Sequence, residues 1–179
     1  MRSLNILERS RSCDHPRVRA PPLTPLAAAV LHVPVPERAL LIGCGDGEAA
    51  LFLAREFPAA RVRAVDSSAA AVRAAQARVG LDPEGRIAFK RAKPADLPYP
   101  DHFFDLVAQI DDRVVAAEVA RVLRPGGHFL LAPPRPPRLA AGAREKLLRA
   151  HLSRHTILIE RAEAAGDGKF FVARSEEGR

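Results

Sequence analysis

From residue 38 onward the apolar positions alternate between two periods. Ala39–Ile42 is a short unbroken apolar run that ends at glycines, the pattern of a buried strand. Gly47–Phe57 changes to helical spacing and stops at Pro58. Arg61–Val65 reads as a second strand, and Ser67–Val79 as an Ala-rich helix closed by Gly80. Ile87–Lys90 and Phe104–Gln109 are further strands. Arg113–Leu123 is a helix ended by Pro125-Gly126-Gly127, and His128–Ala132 a strand after it. A helix over Leu139–His151 precedes two β-like stretches, Thr156–Glu160 and Lys169–Ala173, split by Gly166-Asp167-Gly168. Upstream, Thr24 reads as an N-cap and Pro25 as the first position of a short helix over Leu26–Val33.

Strands alternating with helices imply βαβ units and a parallel sheet covered on both faces. The last two strands share a tight turn, so they must be antiparallel. The pattern therefore predicts a doubly wound α/β fold with an antiparallel hairpin at one edge. Residues 1–22 lack either period, carry five arginines and end in Pro21-Pro22. They are expected to form a basic arm, with a short helix around Ser3–Arg9, ahead of one domain over residues 23–179.

Composition narrows the classes. The 179 residues are 47% hydrophobic and 27% charged, which fits one folded domain and excludes a disordered chain. No apolar run approaches the ~20 residues of a membrane span. Two cysteines, Cys13 and Cys44, make neither a disulfide framework nor a zinc site, so a cytoplasmic setting is expected. The six histidines are scattered, and no metal site is expected. The net charge of +7 favours acidic or phosphate-bearing partners. One Tyr, no Trp and eight Phe offer few rings for stacking bases, so nucleic acid is a possible but disfavoured partner.

The chemistry concentrates at Ile42-Gly43-Cys44-Gly45-Asp46-Gly47-Glu48, where a strand runs into three alternating glycines and then a helix. Such a loop lets backbone N–H groups approach a ligand at the carboxyl edge of the sheet. Asp66 ends the second strand 19 residues after Gly47, where a carboxylate can accept from both ribose hydroxyls of a nucleoside. The plainer alternative is a tight turn and an Asp66 that caps the helix after Ser67-Ser68. Glu48 stands where a dinucleotide fingerprint needs a small residue, which argues against a nicotinamide cofactor.

At this point the sequence resembles the class I S-adenosylmethionine-dependent methyltransferases, in particular a small bacterial group with a G-x-G-x-G loop. Residues 96–107, from Asp96-Leu97-Pro98-Tyr99-Pro100-Asp101 to Phe104-Asp105-Leu106-Val107, resemble the family's DLPFPDxxFDLV segment. Residues 118–127, Glu118-Val119-Ala120-Arg121-Val122-Leu123-Arg124-Pro125-Gly126-Gly127, resemble its turn into the fifth strand. The resemblance implies a Rossmann-like sheet of seven mostly parallel strands, S-adenosyl-L-methionine as cofactor, and methyl transfer to a small-molecule acceptor. It also implies that Gly43, Cys44, Gly45, Asp46, Gly47, Asp66, Ser67 and Gln109 form the cofactor site. Within that set Cys44 reads as a small filler.

Three departures accompany the resemblance. The family's acid two residues before the first glycine is Leu41 here. The positions facing adenine are Lys93, a pure donor, and Pro94, which has no N–H. Losing two hydrogen bonds there would weaken binding roughly ten- to hundredfold. The segment between Val107 and Glu118 is also short. A second reading follows, a methyltransferase-like binding or partner domain with weakened catalysis. A third, an RNA methyltransferase, would use the basic arm. Asp111, Asp112 and His102 are the candidate bases; for Asp111-Asp112 the commoner role is capping the next helix, and for His102 a solvated turn.

Overall fold

The computed structural model describes residues 23–80, 85–111, 113–133 and 141–176. The expected arm and its short helix lie outside them. The elements in chain order are α1 (Thr24–Val30), β1 (Arg38–Ile42), α2 (Glu48–Glu56), β2 (Arg61–Asp66), α3 (Ala69–Val79) and β3 (Ile87–Arg91). There follow β4 (Phe104–Gln109), α4 (Ala116–Val122), β5 (Leu123–Leu131), α5 (Ala141–Ser153), β6 (Ile157–Ala165) and β7 (Gly168–Ser175). The strands form one seven-stranded sheet in the order β3-β2-β1-β4-β5-β7-β6. Strands β1 to β5 pair in parallel, and β7 runs antiparallel to both β5 and β6. The doubly wound sheet with its terminal hairpin is therefore present.

Alternate residues of the strands feed two cores. One joins Ala39, Leu41, Val62 and Ala64 to α1, α2 and α3 through Leu26, Leu53 and Ala75. The other joins Leu40, Ile42, Val65 and Val107 to α4 and α5 through Val119 and Leu152. Strand β4 is buried at every position, as expected for a central parallel strand. The strand order reverses between β1 and β4, which opens a crevice beyond their carboxyl ends.

Four boundaries differ from expectation. Helix α1 begins at Thr24 with Leu23 as its N-cap, and ends at Val30 rather than Val33. Asp111 caps no helix: α4 starts at Ala116 with Val115 as its N-cap. Strand β5 starts at Leu123, directly from α4, and carries Pro125-Gly126-Gly127 inside it. Its register against β4 shifts between Phe104 and Leu106. There a Cβ on Gly127 would lie 3.0 Å from the Asp105 carbonyl oxygen, so the glycine serves a close strand crossing, not a helix stop. The hairpin strands are also longer than the apolar pattern indicates, with only Gly166-Asp167 between them. Edge-strand residues such as Arg161 and Glu163 pair through the backbone while their side chains face solvent.

The turn between β3 and β4 contains no helix and is held by a polar clamp. Arg121 donates to the carbonyls of Leu97 and Tyr99, to Asp101 and to both oxygens of Glu118, which also accepts from Leu97 N at 2.9 Å. The Arg121 hydrogen bond holds the Glu118 carboxyl below the usual range. Because its folded value is depressed, the stabilisation is complete above the ordinary carboxylate pKa and is lost as pH falls through the depressed one. We expect Glu118→Gln to cost about 1–3 kcal/mol at neutral pH. The difference between the two proteins in urea titrations should start to shrink as pH falls below the ordinary Glu value of ~4.3 and vanish below the depressed one; a difference independent of pH would assign the loss to packing alone.

Candidate active site

The glycine loop is built by backbone conformation. Gly43, Gly45 and Gly47 have φ of 80°, 52° and 90°, in the left-handed region that favours glycine. Gly43 N and Cys44 N both donate to the Val65 carbonyl, at 2.9 and 3.0 Å, which draws the loop across the end of β2. The three glycines then differ in purpose. A Cβ on Gly45 would meet nothing within 4 Å, so this glycine leaves the crevice open to a ligand. On Gly47 it would lie 2.9 Å from the Cα of Ala75, so this one lets α2 start against α3. On Gly43 it would lie 3.1 Å from Asp111 Oδ2.

Asp66 stands at the centre. Its Oδ2 accepts from Gly45 N at 3.0 Å and its Oδ1 from Ser68 N at 2.8 Å. Ser68, not Asp66, caps α3, accepting from Ala71 N. A carboxylate has about four acceptor positions, so two remain for a ligand's hydroxyls. The half-buried Asp66 thus fixes the loop and keeps capacity to bind.

Beyond Ser67 lies a cavity of about 340 Å³ lined by Ser67, Arg91, Ala92, Lys93, Asp96 and Pro98. Lys93 is exposed, as its charge requires. A tight turn bridges Lys93 and Asp96, with Asp96 N donating to the Lys93 carbonyl at 3.0 Å, and so brings an acid beside the lysine. Leu41 lies in the core with no exposed surface.

The remaining expected residues fall into two groups. Asp46 turns away from the crevice to an exposed ion pair with Arg78 of α3, a contact of small energetic value. Cys44 is 1% exposed, and burial first, then the Asp66 charge, pushes its thiol up to about 11. Such a thiol stays protonated and is no nucleophile, which matches its reading as a filler. Gln109 is fully buried at the end of β4. Its amide nitrogen donates to Asp111 and to the Arg113 carbonyl, while its Oε1 has no hydrogen-bond partner among the described residues.

Of the candidate bases, Asp111 reaches the crevice: its carboxylate lies over Gly43, held by Gln109 and by Arg113 N at 3.0 Å. His102 precedes β4 and contacts the Leu123 carbonyl, at the opposite end of the sheet. Asp112 lies outside the described residues. Sequence reasoning named Asp111 as a candidate base but not its place over Gly43, because the two are 68 residues apart. The glycine at a strand end opposite β4 was the available signal. Among the described residues there is no group of three potential metal ligands, and no helix is long and apolar enough to cross a membrane.

Residues 39–127, the span that holds this crevice, match the model of a methyltransferase domain. The chain belongs to the class I S-adenosylmethionine-dependent methyltransferase family. The chain is 36% identical over 107 residues to the fatty-acid O-methyltransferase of Mycolicibacterium smegmatis, covering 56% of this chain and 38% of that protein. It is 36% identical over 123 residues to the 27-O-demethylrifamycin SV methyltransferase of Amycolatopsis mediterranei, covering 62% and 45%. The chain thus spans less than half the length of either curated relative. Among solved structures, a chain from the complex of the Haloferax volcanii Trm112 methyltransferase activator with a methyltransferase superposes with a TM-score of 0.74. It is 17% identical, over 88% of this chain and 90% of that one. The [4+2]-cyclase SpnF superposes at 0.68, 24% identical, over 87% and 80%. These likenesses establish the fold.

Proposed function

We propose that the chain binds S-adenosyl-L-methionine in the crevice beyond β1, β2 and β4 and directs its methyl group to a small-molecule acceptor. The observation that carries this reading is the Gly45–Asp66 pair: a backbone N–H anchored on a carboxylate that retains acceptor capacity, beside an open approach. When bound, the cofactor supplies a methyl group already activated by a positively charged sulfur, so alignment is the protein's main task.

The residues divide that task by their chemistry. The free acceptor positions of Asp66 take the ribose hydroxyls, and the backbone at Gly43–Gly47 lets the ligand come close. Gln109 acts through Asp111, whose carboxylate suits a cationic amino group and takes the role that Leu41 leaves open. At the base end, Asp96 supplies the acceptor that Lys93 lacks, and the turn between them makes this possible. The names of the two curated relatives favour a small-molecule acceptor. A buried, reduced Cys44 suits a cytoplasmic setting.

Calorimetry with S-adenosylhomocysteine tests the reading. We expect saturable binding, weakened about tenfold in Asp96→Ala through loss of one charge-assisted hydrogen bond. No heat at millimolar ligand would leave the second reading, a partner domain without cofactor. The exposed Lys93 beside the base end is the observation that favours it. Binding untouched by Asp96→Ala would remove that residue from the site.

A further inference from the structure

The face of the sheet that carries α4 over β5 and α5 over β6 changes character toward β2. In parallel strands, partners in register point to the same side. Arg38 of β1 pairs with Arg61 of β2, and Arg63 is two residues further on, opposite Leu40. All three therefore share one face, while α2 and α3 pack on the other through Ala50, Leu53 and Ala75. The three arginines line one cavity of about 120 Å³ whose remaining lining residues are Phe103 and Phe104. The Arg38 guanidinium carbon lies 4.7 Å from the centre of the Phe103 ring. Among the described residues no carboxylate side chain pairs with any of the three side chains. Two nearby acids are engaged elsewhere, Asp105 with Arg124 and Asp101 with Arg121. Among the described residues the hydrogen bonds of the Arg63 side chain are long, 3.4 Å each, to the carbonyls of Val62 and Arg86.

Charges on exposed edge strands serve to block aggregation, but β1 and β2 are interior strands. Three cations around one small cavity repel one another, and among the described residues most of their N–H donors meet no protein acceptor. We propose that this cavity is a binding site for a phosphate monoester carried on a flat apolar body. A monoester holds roughly −1.5 to −2 charges at neutral pH, a closer match to three guanidinium groups than a singly charged diester. Guanidinium groups meet phosphate oxygens bidentately, and the part-buried Phe103 ring, backed by the buried Phe104, offers an apolar wall to the attached group. The site lies at the starts of β1, β2 and β4. The glycine loop follows the end of β1, roughly 15 Å away along the strand. It is therefore separate from the crevice, and its ligand is not the methyl acceptor.

Titration of the full chain with phenyl phosphate, at physiological ionic strength in chloride, tests this by calorimetry. We expect saturable one-to-one binding that saturating S-adenosylhomocysteine leaves unchanged. Arg61→Gln and Arg38→Gln, both at exposed positions, should each weaken it at least about tenfold. Arg73→Gln removes the same charge from the exposed side of α3 and should leave it unaltered. Inorganic phosphate alone should bind more weakly, for want of the ring. Absence of saturation at millimolar phenyl phosphate would overturn the proposal. So would an equal loss in Arg73→Gln, which would mean unspecific charge. A single-stranded oligonucleotide that binds Arg38, Arg61 and Arg63 and resists displacement by phenyl phosphate would also overturn it, and make the face a polyanion surface.

Discussion

Replacing Asp66 with alanine is expected to lower affinity for S-adenosylhomocysteine by about a hundredfold or more. Two effects add. The ribose hydroxyls lose a charged acceptor, and Gly45 N and Ser68 N lose the oxygens that hold them at 3.0 and 2.8 Å. The second effect loosens the loop before any ligand arrives. Asp66→Asn separates the two, because an amide keeps one acceptor oxygen for the loop while giving up the charge. Calorimetry should place Asn between wild type and Ala. Wild-type affinity in Asp66→Ala, with the fold intact by circular dichroism, would remove the carboxylate from the cofactor site.

The second large effect is on stability. Gly47→Val should cost about 2–5 kcal/mol, through a left-handed backbone at φ 90° and a Cβ only 2.9 Å from the backbone of Ala75. For a chain of this size that lowers Tm by roughly 5–15 °C. The contrast is Gly45→Ala. Its φ is 52° and the space around its Cβ is open, so its cost to stability is about 1 kcal/mol. Its effect should fall on cofactor affinity instead, since the added methyl enters the crevice. Thermal melts and calorimetry on the pair give a crossed result: a melting loss with Gly47, a binding loss with Gly45. Equal melting losses would mean that both glycines serve packing alone.

These two experiments mark how far the residues alone were readable. Hydrophobic period gave the order and nearly all the elements, because burial on both faces writes itself as unbroken apolar runs such as those of β1 and β4. It failed where backbone pairing, not side-chain burial, makes the element. The outer halves of β6 and β7 and the start of β5 are such places. The glycine loop and Asp66 were readable because they stand close in sequence and the loop needs particular dihedral angles. Asp96 was less so. It lies three residues after Lys93, and only the tight turn between them brings the acid to the cavity.

The sequence by itself determined the doubly wound sheet and the candidate glycine–acid pair, since these depend on periodic burial and local conformation, while its motifs carried the resemblance to the family. It could not separate the glycines by purpose. Gly45 and Gly47 look alike in the chain, and only the position of α3 decides that one faces open space and the other Ala75. Tertiary structure also set Asp111 over Gly43 and gathered Arg38, Arg61 and Arg63 around one cavity. Contacts between distant residues arise from strand register, and register is fixed by how the whole sheet assembles.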